Sequence, residues 1–263
     1  MTERIRRLRK FFVEDHAHRA CRKSSSDEFL LARSFEREGI PDTRRAVRRL
    51  VYMLNEETPV FFPDQTIAFV RTNPTLQALF TPEEKEEIAR HHRLHESGEL
   101  SNICVDYSRF LTLGFAGMRR RVEEQAQAFL AQGKLPEAEY LNGELEILDA
   151  LTDLILRYSQ AACEQGLTEI AERLSRLLRK APETLHDALQ MQRILHFTMW
   201  LSGSYHNTLG RFDQYMLPWF QKDLESGRLT EASALELLEE YFLTFNMDSD
   251  LYPGMQQGDN GQS

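Results

Sequence analysis

The chain has 263 residues, of which 41% are hydrophobic and 28% are charged, and both values are ordinary for a globular protein. No apolar run approaches the ~20 residues of a membrane helix, and no signal-peptide core follows the basic N-terminus, so we expect neither a membrane span nor secretion. Three widely spaced cysteines without a CxxC pair favour a cytoplasmic protein over a disulfide framework or a zinc ribbon.

Charge is unevenly distributed along the chain. The formal net charge is −9, yet residues 1–50 contain 14 Lys and Arg against 8 Asp and Glu. A basic arm is one signature of nucleic-acid binding. The arginines here alternate with acids in helical patterns, and the acidic remainder would repel a phosphate backbone. We interpret the arm as a solvated or inter-domain helix face, and we expect no nucleic-acid partner.

The first hundred residues combine helical patterns with one strand pattern. Thr66–Val70 is the strongest strand prediction, because it is rich in β-branched and aromatic residues. Thr81-Pro82-Glu83-Glu84 predicts a helix start with a capping box. An S-x-x-D sequence at Ser24–Asp27 predicts another helix start. We expect further helical segments over residues 4–22, 29–35 and 42–54.

The residues after the first hundred are predicted to be mostly helical, and the whole chain is interpreted as one unit without internal repeats. A helix over residues 107–131 is expected to break near Gly114 and Gly117. The apolar stripe at residues 191–200 is interpreted as core. Other helices are expected over residues 137–165 and 168–179, from Pro182 onward, and from Thr230 to about Phe245.

Two clusters of histidines have spacings that a metal site could use. His91 and His95 lie four residues apart on the helix that starts at Thr81, but no third ligand is evident. His16, His18 and Cys21 have ligand-like spacing with the wrong ligand count. We expect a solvated helix face at His91 and His95, and no metal site at either cluster.

A polar stretch after a buried segment is the main candidate for a pocket. Gly203 and Gly210 permit unusual backbone angles, and Ser204, His206 and Thr208 lie between them. Such a stretch either lines a pocket or only caps a helix, and local sequence does not choose between the two.

Four blocks of sequence resemble the glycyl radical enzymes, the pyruvate formate-lyase and diol-dehydratase superfamily. The most specific is GRFDQYMLPWFQKDLESGRLT, and the resemblance is strongest over residues 181–229. The other blocks occur in the family's order: Asp106-Tyr107 with Leu111 and Gly114, Ala181-Pro182-Glu183-Thr184 with Ala188-Leu189-Gln190, and the final GDNGQS.

This resemblance implies that residues 1–263 are the N-terminal portion of a pyruvate formate-lyase-like domain. The implied fold is mostly α with a few short strands, a helical region followed by the first part of a ten-stranded α/β barrel. The implied function is that of a formate acetyltransferase-like lyase or dehydratase that cleaves a small polar substrate by anaerobic radical chemistry. In the family a separate iron–sulfur, S-adenosylmethionine-dependent activating enzyme installs the glycyl radical. We expect no cofactor on this chain itself.

Both radical centres of the family are missing from the sequence. The family's cysteine lies in a Gly-Cys-x-Glu type loop and its glycine in an Arg-Val-x-Gly-Tyr type loop, and neither pattern is present. We therefore predict no catalytic residue here and no activity for the chain alone. The alternative is a stand-alone helical interaction or regulatory protein, or a half-enzyme that docks with a complementary C-terminal chain. A homodimer is left open.

Four residues are substrate-pocket candidates by resemblance: Asn102, Ser204, His206 and Thr208. In the dehydratase branch a serine before Gly-Arg supports a substrate hydroxyl, and a histidine precedes Asp-Tyr. Here Asn102 occupies the histidine position, which argues against a glycerol-like substrate. Neighbouring Cys104 is interpreted as structural. Arg211, Asp213 and Gln214 are predicted to form a buried hydrogen-bond network that locks the pocket loop onto the next helix.

Overall fold

A computed structural model describes residues 1–91, 103–204 and 207–248, and helices predominate among them. Two short strands, β1 (Ile103–Cys104) and β2 (Asn207–Thr208), form a parallel pair. A π-helical turn spans Lys10–Glu14, and 3-10 turns span Ala17–Cys21 and Thr244–Met247. The helices are α1 (Glu3–Arg9), α2 (Leu30–Glu38), α3 (Asp42–Glu56), α4 (Pro82–Arg90), α5 (Tyr107–Ala131), α6 (Leu135–Glu164), α7 (Thr168–Leu177), α8 (Leu185–Leu201), α9 (Phe212–Glu225) and α10 (Glu231–Leu243). The prediction of a mostly helical chain with a few short strands is confirmed.

Two predicted helix starts have different outcomes. The capping box at α4 is confirmed, since Thr81 Oγ1 accepts from the Glu84 amide at 3.2 Å and Glu84 Oε2 accepts from the Thr81 amide at 2.9 Å. The start at Ser24–Asp27 is wrong, because α2 begins at Leu30. The Asp27 carboxylate instead accepts from the Phe29 amide at 2.9 Å, which makes a local turn before the helix.

Helix α5 breaks at Gly114, as predicted, whereas Gly117 lies in continuous helix. Gly114 has φ 67° and ψ 174°. A Cβ there would lie 2.9 Å from the Ala181 amide nitrogen, so the close approach of the two backbones requires glycine. The break places the start of α5 against the segment that leads into α8.

The core surrounds α8. Nearly all of its 17 residues are buried, including polar ones such as Gln190 and Arg193, and the stripe at residues 191–200 is indeed core. The long helices α5 and α6 pack together, and α3 and α7 pack on α6. A smaller cluster joins Ile5, Leu8 and Phe12 of the N-terminal helical region to Val70 and Met247.

The predicted strand at Thr66–Val70 is wrong, although Ile67, Ala68, Phe69 and Val70 are all fully buried. The backbone of this segment is paired with side chains rather than with another strand. The Gln190 amide group accepts from Ala68 N at 2.8 Å and donates to Ala68 O at 3.3 Å. The side-chain amide of Gln190 has one donor and one acceptor group for this purpose, as a backbone peptide group has. It therefore makes the pair of hydrogen bonds that a neighbouring strand would otherwise make with Ala68.

Other long-range side chains complete this pairing. Arg193 of α8 donates to Phe69 O through Nε at 3.0 Å and Nη2 at 2.8 Å. Glu240 of α10 accepts from the Ile67 amide at 2.9 Å. The segment therefore passes through the core as irregular chain, with a φ of 87° at Phe69, and its backbone hydrogen bonds tie α8 to α10.

Candidate functional site

The parallel pair of strands joins two parts of the chain that are distant in sequence. Ile103 lies opposite Asn207, and Cys104 lies opposite Thr208. Both strands run the same way, so their carboxyl ends meet at one edge, and α5 and α9 begin just beyond it. The Asp106 carboxylate accepts from the Arg109 amide at 3.1 Å and caps α5. Crevices outside such strand ends are where α/β proteins bind ligands.

Cys104 and Gly210 fit together at this edge. Gly210 has φ +61°, and a Cβ there would lie 2.8 Å from Cys104 Sγ. Glycine is therefore required both by the backbone angle and by the sulfur that packs on it. Cys104 is exposed at the other side of this contact.

Tyr215 ties the turn after β2 to the centre of α8. Its hydroxyl donates to Leu209 O at 2.7 Å and accepts a hydrogen bond from the side-chain amide of Gln192. Gln192 is fully buried and Tyr215 is half-buried. The hydrogen bonds of Tyr215 therefore fix the position of the Leu209–Gly210 turn relative to α8.

Two more tyrosines and a histidine surround this connection. The Tyr107 ring lies 5.9 Å from that of Tyr215, and Tyr241 stacks on Phe212 at 5.5 Å. His196 lies one helical turn after Gln192 and accepts from Trp200 Nε1 at 3.2 Å through Nε2. We call Gln192, His196, Tyr107, Tyr215 and Tyr241 the polar centre.

All titratable groups of the polar centre are neutral at physiological pH. Burial raises the pKa of Tyr107, Tyr215 and Tyr241, so each phenol keeps its proton. Burial, together with the nearby positive charge of Arg193, lowers the pKa of His196 to about 3. Because His196 Nε2 accepts a hydrogen bond, its proton resides on Nδ1.

The structure separates the pocket candidates. Ser204 is buried, its Oγ lies 3.3 Å from Ser202 Oγ, and its carbonyl accepts from Asn207 Nδ2 at 2.6 Å. Thr208 is exposed, because side chains alternate along β2 and Asn207 takes the inward position. Thr208 is thus the accessible candidate, while Asn102 and His206 lie outside the described residues.

The predicted buried network of Arg211, Asp213 and Gln214 is wrong with respect to burial. The side chains of Arg211 and Asp213 are 71% and 75% exposed, and Nε and Oδ1 are 3.7 Å apart. Gln214 is also exposed. These residues lie on the solvent side of the first turn of α9, where a weak ion pair is screened by water.

Other candidate sites have ordinary explanations. His91 is exposed with Nε2 2.7 Å from Glu87, whereas its proposed partner His95 lies outside the described residues. Within residues 1–91, 103–204 and 207–248 no cluster of metal-ligating side chains occurs, and none of the helices there could cross a membrane. A cleft of about 510 Å³ between α6 and α7 is lined by Arg176, Arg179 and Lys180, among others. The Arg176 charge is already paired with buried Asp187 at 2.6 Å.

Sequence reasoning missed Gln192, Tyr215 and Asn207. Gln192 could have been noticed as a polar residue within the apolar helix α8. Nothing local in the sequence predicts the contact of Tyr215 with α8. Nothing distinguishes Asn207 from the polar residues around it.

Comparison with known proteins identifies the family. The pyruvate formate lyase-like family matches residues 52–261, well over half of the chain. The chain is 26% identical over 184 residues to (2S)-3-sulfopropanediol dehydratase of Klebsiella oxytoca, covering 63% of this chain and 22% of that protein. It is 30% identical over 166 residues to isethionate sulfite-lyase of Nitratidesulfovibrio vulgaris, covering 56% and 20%.

Solved structures agree on the fold. The structure matches a Roseburia inulinivorans protein solved in a study of 1,2-propanediol dehydration, with a TM-score of 0.71 at 20% identity. That match covers 94% of this chain and 38% of the solved chain. The chain spans about a fifth of the length of the curated relatives described above. From the family match and these relatives together, the chain belongs to the pyruvate formate lyase-like family of glycyl radical enzymes.

Proposed function

We propose that this chain forms part of the substrate-pocket wall of a glycyl radical lyase or dehydratase that cleaves a small hydroxylated substrate. The observation that carries the proposal is the edge formed by β1 and β2, where exposed Thr208 lies beside a turn held by Tyr215 and Gln192. A hydroxyl side chain on a rigid edge is suited to orient a polar substrate. The relatives' names, a sulfopropanediol dehydratase and an isethionate sulfite-lyase, agree with that substrate class.

The chain's own part in the reaction is positioning. Thr208 donates to or accepts from a substrate hydroxyl, and the hydrogen bonds of Tyr215 hold the turn that follows Thr208 in place. The thiyl cysteine and the glycyl radical belong to polypeptide outside these 263 residues, because neither family pattern occurs in the sequence. A separate activating enzyme with an iron–sulfur cluster and S-adenosylmethionine installs the radical.

A second candidate, a half-enzyme that docks with a complementary chain, is favoured by the surface of α9 and α10. Only Met216 and Asp223 are buried among the 14 residues of α9. Leu217, Leu235 and Phe242 are 44%, 54% and 45% exposed. Large apolar side chains exposed on neighbouring helices are typical of a face that another polypeptide covers.

One purification tests both candidates. The tagged chain is isolated under anaerobic conditions from its native cells, and the associated peptides are sequenced by mass spectrometry. We expect peptides with the Gly-Cys-x-Glu pattern, either within the same polypeptide or in a stoichiometric partner. Leu217→Glu should release a separate partner, whereas Leu130→Glu, a similarly exposed leucine of α5, should not. Recovery of the 263-residue chain without any radical-bearing polypeptide would contradict the proposal.

Activity then tests the pocket wall. In the active assembly, Thr208→Val should raise KM at least several-fold, because a hydrogen bond to the substrate is lost. The matched control is Thr112→Val on the exposed side of α5, which should leave KM unchanged. Equal KM values for both variants would remove Thr208 from the pocket.

A further inference from the structure

Four atoms of the polar centre lack hydrogen-bond partners among the described residues. They are the hydroxyls of Tyr107 and Tyr241, Gln192 Oε1 and His196 Nδ1. Tyr107 is 1% exposed and the other three residues are fully buried. Dry, unpaired polar atoms destabilise a fold, and native proteins usually supply ordered water or a ligand at such places.

These atoms belong to one region of the core. Gln192 and His196 are four residues apart and share a face of α8. Gln192 is bonded to Tyr215, whose ring lies 5.9 Å from Tyr107. The Phe245 ring lies 4.7 Å from His196 and 5.2 Å from Tyr241, which brings the fourth residue to the same region.

Their donor and acceptor pattern matches a hydroxyl group. His196 Nδ1–H is a donor, because its Nε2 already accepts from Trp200. Gln192 Oε1 is an acceptor, because its Nε2 donates to Tyr215. The two phenols supply further donors. A hydroxyl oxygen accepts up to two hydrogen bonds and donates one, so it satisfies Gln192 Oε1 and two of the three donors, whereas an apolar group would satisfy none.

Charge selects against anions. The phenols are protonated and His196 is neutral, so the polar centre offers no full positive charge of its own to a carboxylate or a sulfonate. Burying an anion without a paired cation is strongly unfavourable. A neutral hydroxyl avoids that cost.

We propose that the polar centre is a binding site for the hydroxyl oxygen of a neutral molecule, either water or a small alcohol. His196 and one of the two phenols donate to the oxygen, and a bound O–H donates to Gln192 Oε1. A bound water also donates its second O–H to the hydroxyl oxygen of the other phenol. The site belongs to the 263-residue chain alone and does not depend on the proposed radical chemistry. Tyr215 connects the site to Leu209, the residue that follows β2.

Unfolding of two tyrosine variants of the full chain tests the site. Tyr107→Phe and Tyr241→Phe should each lower the folding equilibrium constant about five-fold, the usual effect of losing one buried hydrogen bond. Tyr158→Phe calibrates this loss, because the Tyr158 hydroxyl is buried and lies 3.3 Å from both Val70 N and Val70 O. Tyr140→Phe, at a 64% exposed position, should change stability less than two-fold. Unchanged or increased stability in both test variants would mean that the centre is dry, and would overturn the proposal.

A titration with 1,2-propanediol separates the two sources of the hydroxyl. Saturable NMR shifts of the Gln192 side-chain amide in the parent chain, lost in Tyr107→Phe, identify an alcohol site. No shift, combined with the expected loss of stability, identifies bound water. Saturable shifts of equal size in the parent and in a Tyr107→Phe/Tyr241→Phe double variant would contradict the assigned donors.

Discussion

Cys104 Sγ lies over Gly210 so closely that a Cβ at position 210 would come within 2.8 Å of it. The contact joins the end of β1 to the turn that follows β2, and it explains why the Gly-Arg pair begins with glycine. It also fixes the start of α9 relative to the start of α5. The two strands and the turn after β2 are therefore held together by specific packing between Cys104 and Gly210.

Gly210→Ala should lower the free energy of unfolding by about 2–4 kcal/mol, from the unfavourable positive φ and from overpacking against the sulfur. Gly133→Ala is the matched control, because Gly133 has φ +73° with nothing within 4 Å of a Cβ. It should show the backbone cost alone. Adding Cys104→Ala to Gly210→Ala should recover the packing part. Equal losses for the two glycine variants in urea unfolding would contradict the close contact.

Gln190→Leu should destabilise the chain by about 2–4 kcal/mol, because it leaves the buried Ala68 N–H and C=O unpaired. Hydrogen exchange supplies a second measurement, in which the Ala68 amide should lose its protection. Gln214→Leu replaces an exposed glutamine of α9 and should leave both stability and exchange unchanged. A Gln190 variant as stable as the Gln214 variant would show that the segment is held in another way.

Acid should destabilise the chain through His196 and His186. Burial, reinforced by nearby Arg193 and Arg173 respectively, lowers the pKa of each histidine to about 3. The unfolded chain binds these protons near pH 6.5 while the folded chain does not, so the stability from each neutral histidine is complete above pH 6.5 and falls progressively toward pH 3. At pH 5 the expected loss is about 2 kcal/mol per histidine.

Unfolding midpoints measured between pH 7 and pH 5 check this dependence. His196→Gln and His186→Gln should each flatten the profile, since the substituted side chain does not titrate. His91→Gln, at a position where the side chain is 56% exposed, should retain the profile of the parent chain. A profile unaffected by the His196 and His186 substitutions would contradict the assignment.

Asp248→Ala should lower the free energy of unfolding by about 3–5 kcal/mol, because it leaves the Arg193 guanidinium charged and unpaired in the core. The two groups are 2.6 Å apart, and their side chains are 0% and 1% exposed. Glu14→Ala removes the partner of Arg9 from a pair with side chains 52% and 49% exposed, and it should have little effect. Similar melting temperatures for the two variants would contradict the buried ion pair.

Local signals predicted the helices well and the strand at Thr66–Val70 badly. Thr81, Pro82 and Glu84 carry their own capping geometry, so that helix start needs no distant contact. The backbone partners of Ala68 come from Gln190, 122 residues away along the chain. No pattern within a short window distinguishes a strand from irregular buried chain that is paired with side chains.

Local sequence likewise predicted only those features of the candidate site that do not depend on distant contacts. Gly210 follows from the turn chemistry of its own segment, and Thr208 from its position in a polar stretch. The exposure of Arg211 and Asp213 depends on which face of α9 is covered, and one chain's local sequence does not determine that. The polar centre depends on three helices meeting α8, which only tertiary packing brings about.

The most direct measurement compares cleavage of small hydroxylated substrates by two anaerobic preparations. One is the isolated 263-residue chain, and the other is the native assembly with the radical-bearing polypeptide, treated with the activating enzyme. We predict product, together with an organic-radical signal in electron paramagnetic resonance, from the assembly and neither from the isolated chain. Turnover by the isolated chain, or a radical-bearing assembly that cleaves no such substrate, would contradict the proposed function.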